Sequence, residues 1–279
     1  MDRVDLLLNL AGLLLWLGWR AIPLRTAVPR PATISGVLRQ ADSAPRHRWR
    51  FLGFLLLLLG LRAVFYWRIG SQVDWVPALD LGALSLPFNS VSLPRMLCYS
   101  GLSFLLTIAV FYLWLLLLSV INRSVPDHEP WQRMVRRQLG WIEALPAVIK
   151  PLLPLALTAA AWWFANPWLA GLGLTARPGS VAHLVQQSLL VGLGTCLAWK
   201  YLLAGLLFLG VLNTYLYLGN FSFWTFIQTT VGNLVRPLRW LPLRWGRIDL
   251  VPLLALGLVW FVFTYLEFGL NRLFARLPL

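Results

Sequence analysis

From Met96 to Ile121 the chain runs without one charged residue, and apolar stretches recur at Leu6–Trp19, Phe51–Trp67, part of Pro151–Leu174, Val185–Leu218 and Leu250–Leu270. About 20 residues of helix cross about 30 Å of hydrocarbon, so runs of this length belong in lipid rather than in the interior of a soluble domain. Composition agrees: 59% of residues are apolar and 12% charged, where a soluble domain has about a quarter charged. The expected fold class is all-α, a polytopic membrane helical bundle of about six transmembrane helices. An ordinary soluble enzyme is excluded.

The first run follows Met1-Asp2-Arg3-Val4-Asp5, whose acidic balance is opposite to the basic start of a signal peptide, and no small-residue cleavage site follows it. It is read as a retained span, lengthened through Arg20, Ala21 and Ile22 by snorkelling. Val185–Leu218 is longer than one crossing requires, about 51 Å as helix. Splitting it at Lys200 would move the next basic loop to the other face, so one long helix is expected, with Lys200 near its middle. An ammonium there costs a few kcal/mol at least and needs a partner, water or a path to the headgroups.

Placement of the basic residues gives the orientation. Residues 20–50 carry Arg20, Arg25, Arg30, Arg39, Arg46, Arg48 and Arg50; residues 122–150 carry Arg123, Arg133, Arg136, Arg137 and Lys150; residues 219–249 carry Arg236, Arg239, Arg244 and Arg247. These are two thirds of the 24 Lys and Arg, and they fall in alternate loops. Positive residues beside span ends stay cytoplasmic, so both termini should face the non-cytoplasmic side. The net charge of +14 is thereby explained without nucleic acid.

A word recurs. Pro130 to Pro146 contains Trp131, Met134, Val135, Leu139 and Ile142 on one helical stripe; Phe223 to Arg236 contains Trp224, Ile227, Val231, Leu234 and Val235 on another. Each predicts an amphipathic helix lying in the headgroup plane, apolar stripe toward lipid. Each is followed by an aliphatic-acid-x-x-Pro start of the next span: Ile142-Glu143 with Pro146, and Ile248-Asp249 with Pro252. An acid at that point caps orphan helix N–H groups, and proline fits a first turn. The chain therefore reads as a two-span extension, 1–70, with a basic cytoplasmic loop; an external loop, 71–95; and two span/interfacial-helix/span units, 96–174 and 175–279.

The second unit inserts residues 236–247, containing Arg236, Arg239, Trp240, Arg244, Trp245 and Arg247 with Pro237 and Pro242. The prolines stop helix, so an extended segment along the membrane surface is expected. Its guanidiniums face phosphate or an acidic partner, unless they serve only as topogenic anchoring charge. With Arg133, Arg136 and Arg137 they form the candidate lipid- or partner-binding set.

In Arg236, Pro237, Leu238, Arg239, Pro242, Ile248, Asp249, Leu250 and Pro252 the chain resembles the YggT (YlmG) family of small bacterial and plastid membrane proteins. The likeness covers roughly residues 96–270; Val251 replaces the usual serine, and the first copy keeps only Ile142, Glu143 and Pro146. The resemblance implies a bacterial inner-membrane protein without established chemistry, linked to osmotic or extracytoplasmic stress tolerance, cell division or membrane-complex assembly.

Other candidates carry less. Cys98 and Cys196 lie in apolar runs and read as small buried hydrophobes. His47, His128 and His183 are scattered, so neither metal nor haem ligation is expected and no cofactor is called for. Arg62 reads as a snorkelling residue, and Asp74 and Asp80 as solvated turn residues. No catalytic signature is present, and no small-molecule substrate is indicated. The leading expectation is a non-enzymatic scaffold or assembly protein whose partners are anionic lipids and other membrane proteins or itself. The alternative is a channel or transporter with a midplane polar site at Lys200; against it, Lys200 and Arg62 are read as lacking an acid beside them in the spans.

Overall fold

The computed structural model describes residues 2–21, 44–73, 76–80, 85–126, 129–171, 173, 175, 178–216, 221–238, 240, 244–245 and 248–276. Within them the helices are α1 (Asp2–Ala21), α2 (Ala44–Val73), α3 (Leu93–Ile121), α4 (Pro130–Leu139), α5 (Ile149–Gly171), α6 (Val181–Gly194), α7 (Ala198–Tyr215), α8 (Ser222–Val235) and α9 (Val251–Ala275). Three three-ten turns, Gly140–Ala144, Thr195–Leu197 and Arg236–Leu238, and four short strands, β1 (Ala78–Asp80), β2 (Ser85–Pro87), β3 (Arg244–Trp245) and β4 (Ile248–Asp249), complete the described secondary structure. The class is all-α.

Among the described residues four helical segments are long and apolar enough to cross a membrane: Trp49–Gly70, Leu93–Ile121, Val181–Thr214 and Val251–Ala275. Pro130–Ala144 and Ile149–Gly171 meet the same standard only as a pair bent by 81°. This is the build of a multi-pass membrane protein, with four or five such elements where the sequence reading expected six. α1 is the difference. Its charges at Asp2, Arg3, Asp5 and Arg20 confine the uncharged stretch to Leu6–Trp19, about 21 Å of helix.

The long element behaves as the charge rule requires: Val181–Thr214 is one 34-residue helical rod. It starts at Ser180, whose hydroxyl accepts from the His183 amide at 3.1 Å. A three-ten turn at Thr195–Leu197 interrupts it, where the Thr195 hydroxyl donates back to the Val191 carbonyl and competes with the helical ladder. α4 is ended by Gly140 at φ 57°, and α8 gives way at Arg236 to one three-ten turn because Pro237 has no N–H to continue the ladder.

The segment after α8 departs from the expected simple extension. Arg236–Leu238 is a three-ten turn, and β3 folds back on β4 with Arg244 opposite Asp249 and Trp245 opposite Ile248.

The chain divides into two compact units: Met1–Leu79 with Pro87–Ala109, and Asp80–Leu86 with Val110–Leu279. The division falls inside α3, whereas the sequence reading placed a boundary at residue 95. The first unit pairs α1 with α2 and the leading half of α3. In the second, α7, α8 and α9 enclose a core of Leu206, Leu207, Ile227, Val231, Val235, Val251 and Ala255. A second cluster joins α3 and α4 through Leu115, Leu116, Val135 and Leu139.

Those clusters correct the expectation for the amphipathic helices. Val135 and Leu139 of α4, and Ile227, Val231 and Val235 of α8, turn their apolar stripes into the protein instead of lipid. Met134 is exposed, and Gln132 is fully buried in its stead.

Candidate functional site

The two amphipathic helices meet on a polar node at the end of α3. Asn122 follows the last residue of α3 and is fully buried. Its side-chain N–H donates to Thr230 Oγ1 of α8 at 2.7 Å, and its Oδ1 accepts from Asn233 Nδ2 at 3.1 Å. Its backbone carbonyl accepts from Gln132 Nε2 of α4 at 3.4 Å. One asparagine thus ties α4 and α8 to the same helix end. Trp131 and Phe223 meet edge to face across the pair, 5.3 Å between ring centres.

A charged node lies beside it. Glu143, in the three-ten turn Gly140–Ala144, accepts from Ser119 Oγ and from Lys150 Nζ at 3.0 Å, with Arg136 Nε at 3.6 Å. Lys150 also donates to Ser119 Oγ at 2.8 Å and is only 5% exposed. Arg136 reaches the Val125 carbonyl at 2.9 Å. Lys150, counted from the sequence as a loop cation, is therefore a buried ion-pair partner on α5.

This geometry corrects the capping expectation. α5 opens at Ile149, too far along for Glu143 to reach its orphan amides; the Pro146 carbonyl receives the Ile149 and Lys150 amides. Ile142 packs against the Leu115 cluster. In the second copy, Ile248 and Asp249 are held extended in the β3–β4 ladder, and Leu250 occupies the cap position with no side-chain capping bond. Pro252 does fall in the first turn of α9, where a missing N–H costs nothing.

Outside the nodes, Arg133, Arg137 and Arg236 are exposed, with Trp141 76% and Trp240 78% exposed. Both tryptophans follow the amphipathic helices and precede a long apolar helix, the positions where an interfacial aromatic belt is expected. Arg239 and Arg247 lie outside the described residues, as do the side chains of Arg244 and Trp245.

The candidate intramembrane site is also changed by what surrounds it. Lys200 Nζ donates to Glu267 Oε2 at 3.0 Å and sits 4.7 Å from the Trp260 ring centre. Beside it, α7 and α9 leave an open apolar groove of about 790 Å³ lined by Gly205, Phe208, Gly257, Phe261 and Thr264. In the first unit Arg62 is 3% exposed, not snorkelling. It forms an ion pair with Asp5 and donates to Asn9 Oδ1 at 2.6 Å and Ser103 Oγ at 2.9 Å, between the rings of Tyr66 and Tyr99.

The sequence reading missed both acids. Asp5 stands just outside the first apolar run, and Glu267 stands inside the last one. A signal existed: a lone acid and a lone base in separate apolar runs each need a partner, and each other is the cheapest one. Among the described residues no cluster of three or more His, Cys, Asp or Glu could hold a metal ion.

No family model, curated protein or solved structure matches this chain.

Proposed function

We propose that this chain is a YggT-like integral membrane scaffold or assembly protein, working through the face that carries α4, α8 and residues 236–247. One observation carries the reading. The three long cations buried among the described residues, Arg62, Lys150 and Lys200, each meet an acid, while Arg133, Arg137, Trp141, Arg236 and Trp240 stand exposed on and beside the amphipathic helices. Those pairs leave none of the three as an unpaired cation inside the helices. Arginine and tryptophan at a headgroup plane suit lipid phosphate and acidic partner segments.

On this reading the element order α3–α4–α5 and α6/α7–α8–α9 is one span/amphipathic-helix/span unit used twice, α1 crosses as a sixth span, and both termini lie outside a bacterial inner membrane. The family resemblance adds stress tolerance or division-complex organisation as the setting. Cysteine accessibility at positions 35 and 240 tests the topology: both label from the cytoplasmic face, and labelling from opposite faces refutes it. Native mass spectrometry in mild detergent tests the function. Anionic phospholipid and membrane-protein partners copurify, and Gln in place of Arg133, Arg137, Arg236 and Arg239 releases them. Ion flux in proteoliposomes that Lys200→Ala abolishes would instead establish the transporter reading.

A further inference from the structure

Polar side chains line the contact between α5 and α6 from one end to mid-depth. His183, Gln187 and Ser188 on α6 and Trp162 and Asn166 on α5 are all more than nine-tenths buried. Asn166 Nδ2 donates to Gln187 Oε1 at 3.4 Å, which leaves Gln187 Nε2 as donor to His183 Nε2 at 3.3 Å. His183 stands in the first turn of α6, at its Ser180 end, so a hydrogen-bonded chain leads from the helix end to Asn166.

That chain stops with groups to spare. Asn166 Oδ1 and Trp162 Nε1 have no hydrogen-bond partner among the described residues. They sit four apart on α5, hence on one face. One turn of α5 therefore presents one donor and one acceptor in a dry environment, where an unmade hydrogen bond is costly. A single water matches that pair: it accepts from the indole and donates to the amide oxygen, within the two to four bonds an internal water makes.

The next turn closes the path. A Cβ on Gly192 would lie 2.8 Å from the Leu155 carbonyl oxygen and 3.1 Å from Ala159 Cβ, so the two backbones touch there. Beyond it Thr158 and Thr195 bond each other at 2.8 Å.

We propose that α5 and α6 hold an internal water between Trp162 and Asn166, joined through Gln187 and His183 to the Ser180 end of α6 and sealed below by the Gly192 contact. It is a hydrated dead end without a through pore. The site is independent of the scaffold reading.

The test uses the full chain with ¹⁵N-labelled tryptophan in lipid nanodiscs. Trp162→Phe identifies the Trp162 indole by loss of one resonance. That indole shows a cross-peak to water in the parent protein, and the cross-peak is lost in Asn166→Leu while the other indole signals keep theirs. Absence of the cross-peak in the parent, or its persistence in Asn166→Leu, overturns the proposal. Should Asn166→Leu not fold, hydrogen–deuterium exchange of the Trp162 indole N–H in the parent protein decides: exchange faster than that of the helix-core backbone amides supports the water, and protection as long as theirs refutes it.

Discussion

Replacing Glu143 with Leu strands the Lys150 ammonium at 6% side-chain exposure, with Ser119 Oγ as its remaining partner. Removing one member of a buried pair costs about 3–5 kcal/mol; with Glu143 itself 23% exposed, the low end, about 3 kcal/mol, is expected. Lys150→Met is milder, about 1–2 kcal/mol, since Glu143 keeps the Ser119 bond and Arg136 at 3.6 Å. In the double variant neither charge is left unpaired, and the cost is about 2 kcal/mol, chiefly from the Ser119 hydroxyl losing its partners. The two substitutions should therefore couple by about 2 kcal/mol, read from reversible unfolding in mixed detergent micelles by tryptophan fluorescence. A capping Glu143 would behave otherwise: its loss would cost about 1 kcal/mol whatever occupied position 150. Coupling below about 0.5 kcal/mol would show that the node is wet and screened, and the inference of a buried ion pair would fail.

Three further outcomes follow from the packing. Gly192→Ala drives a methyl into the Leu155 backbone carbonyl, which cannot rotate away, so it should cost about 1–3 kcal/mol in the same unfolding assay, and an unchanged midpoint would contradict the close contact. Arg62→Met takes away the cation opposite Asp5, leaving that carboxylate the Tyr66 and Ser103 hydroxyls and the Asn9 amide, and should expose α1 to protease, with Asp5→Leu in the same chain restoring much of the protection; equal digestion of parent and single variant would contradict it. Lys200→Met leaves the Glu267 carboxylate, 45% exposed at its side chain on an apolar helix, without its cation, so it should cost about 1–3 kcal/mol and Glu267→Gln in the same chain should recover part of that; equal stability of the single and double variants would mean that water solvates Glu267.

Long uncharged runs, proline stops and the positive loops made the helices, and the single 34-residue rod, legible in advance, because in lipid the length of an apolar run and the sign of its flanks leave few alternatives. Partnership was not legible. An amphipathic stripe such as Val135 and Leu139 reads identically whether it meets lipid or protein, since both are apolar; only the burial of Gln132 beside it, with its amide N–H donating to the Asn122 carbonyl, distinguishes the two. The acid-plus-proline word likewise suggested one local role for Glu143 and Asp249, a helix cap. Glu143 was taken up by a cation on the next helix, and the Asp249 backbone by a strand pair. Local motifs specify what a residue can do, and tertiary competition decides which of those it does.

That competition has a particular form in a bilayer. Apolar surface gains little when helix replaces lipid, so close packing and polar pairing, rather than burial from water, determine which helices adjoin. The ion pairs here join segments at very different separations: Glu143 and Lys150 fix the turn between neighbouring elements, while Asp5 with Arg62, and Lys200 with Glu267, select one helix from several that are equally apolar. An unpaired charge at those depths is penalised in every alternative arrangement, so each pair discriminates against wrong neighbours more than it stabilises the right one. The same demand explains why few charges remain within the helices while arginine collects at their ends. A cation already paired with its acid is a poor ligand for anything else, which is why recognition is proposed for the surface that α4 and α8 hold in place.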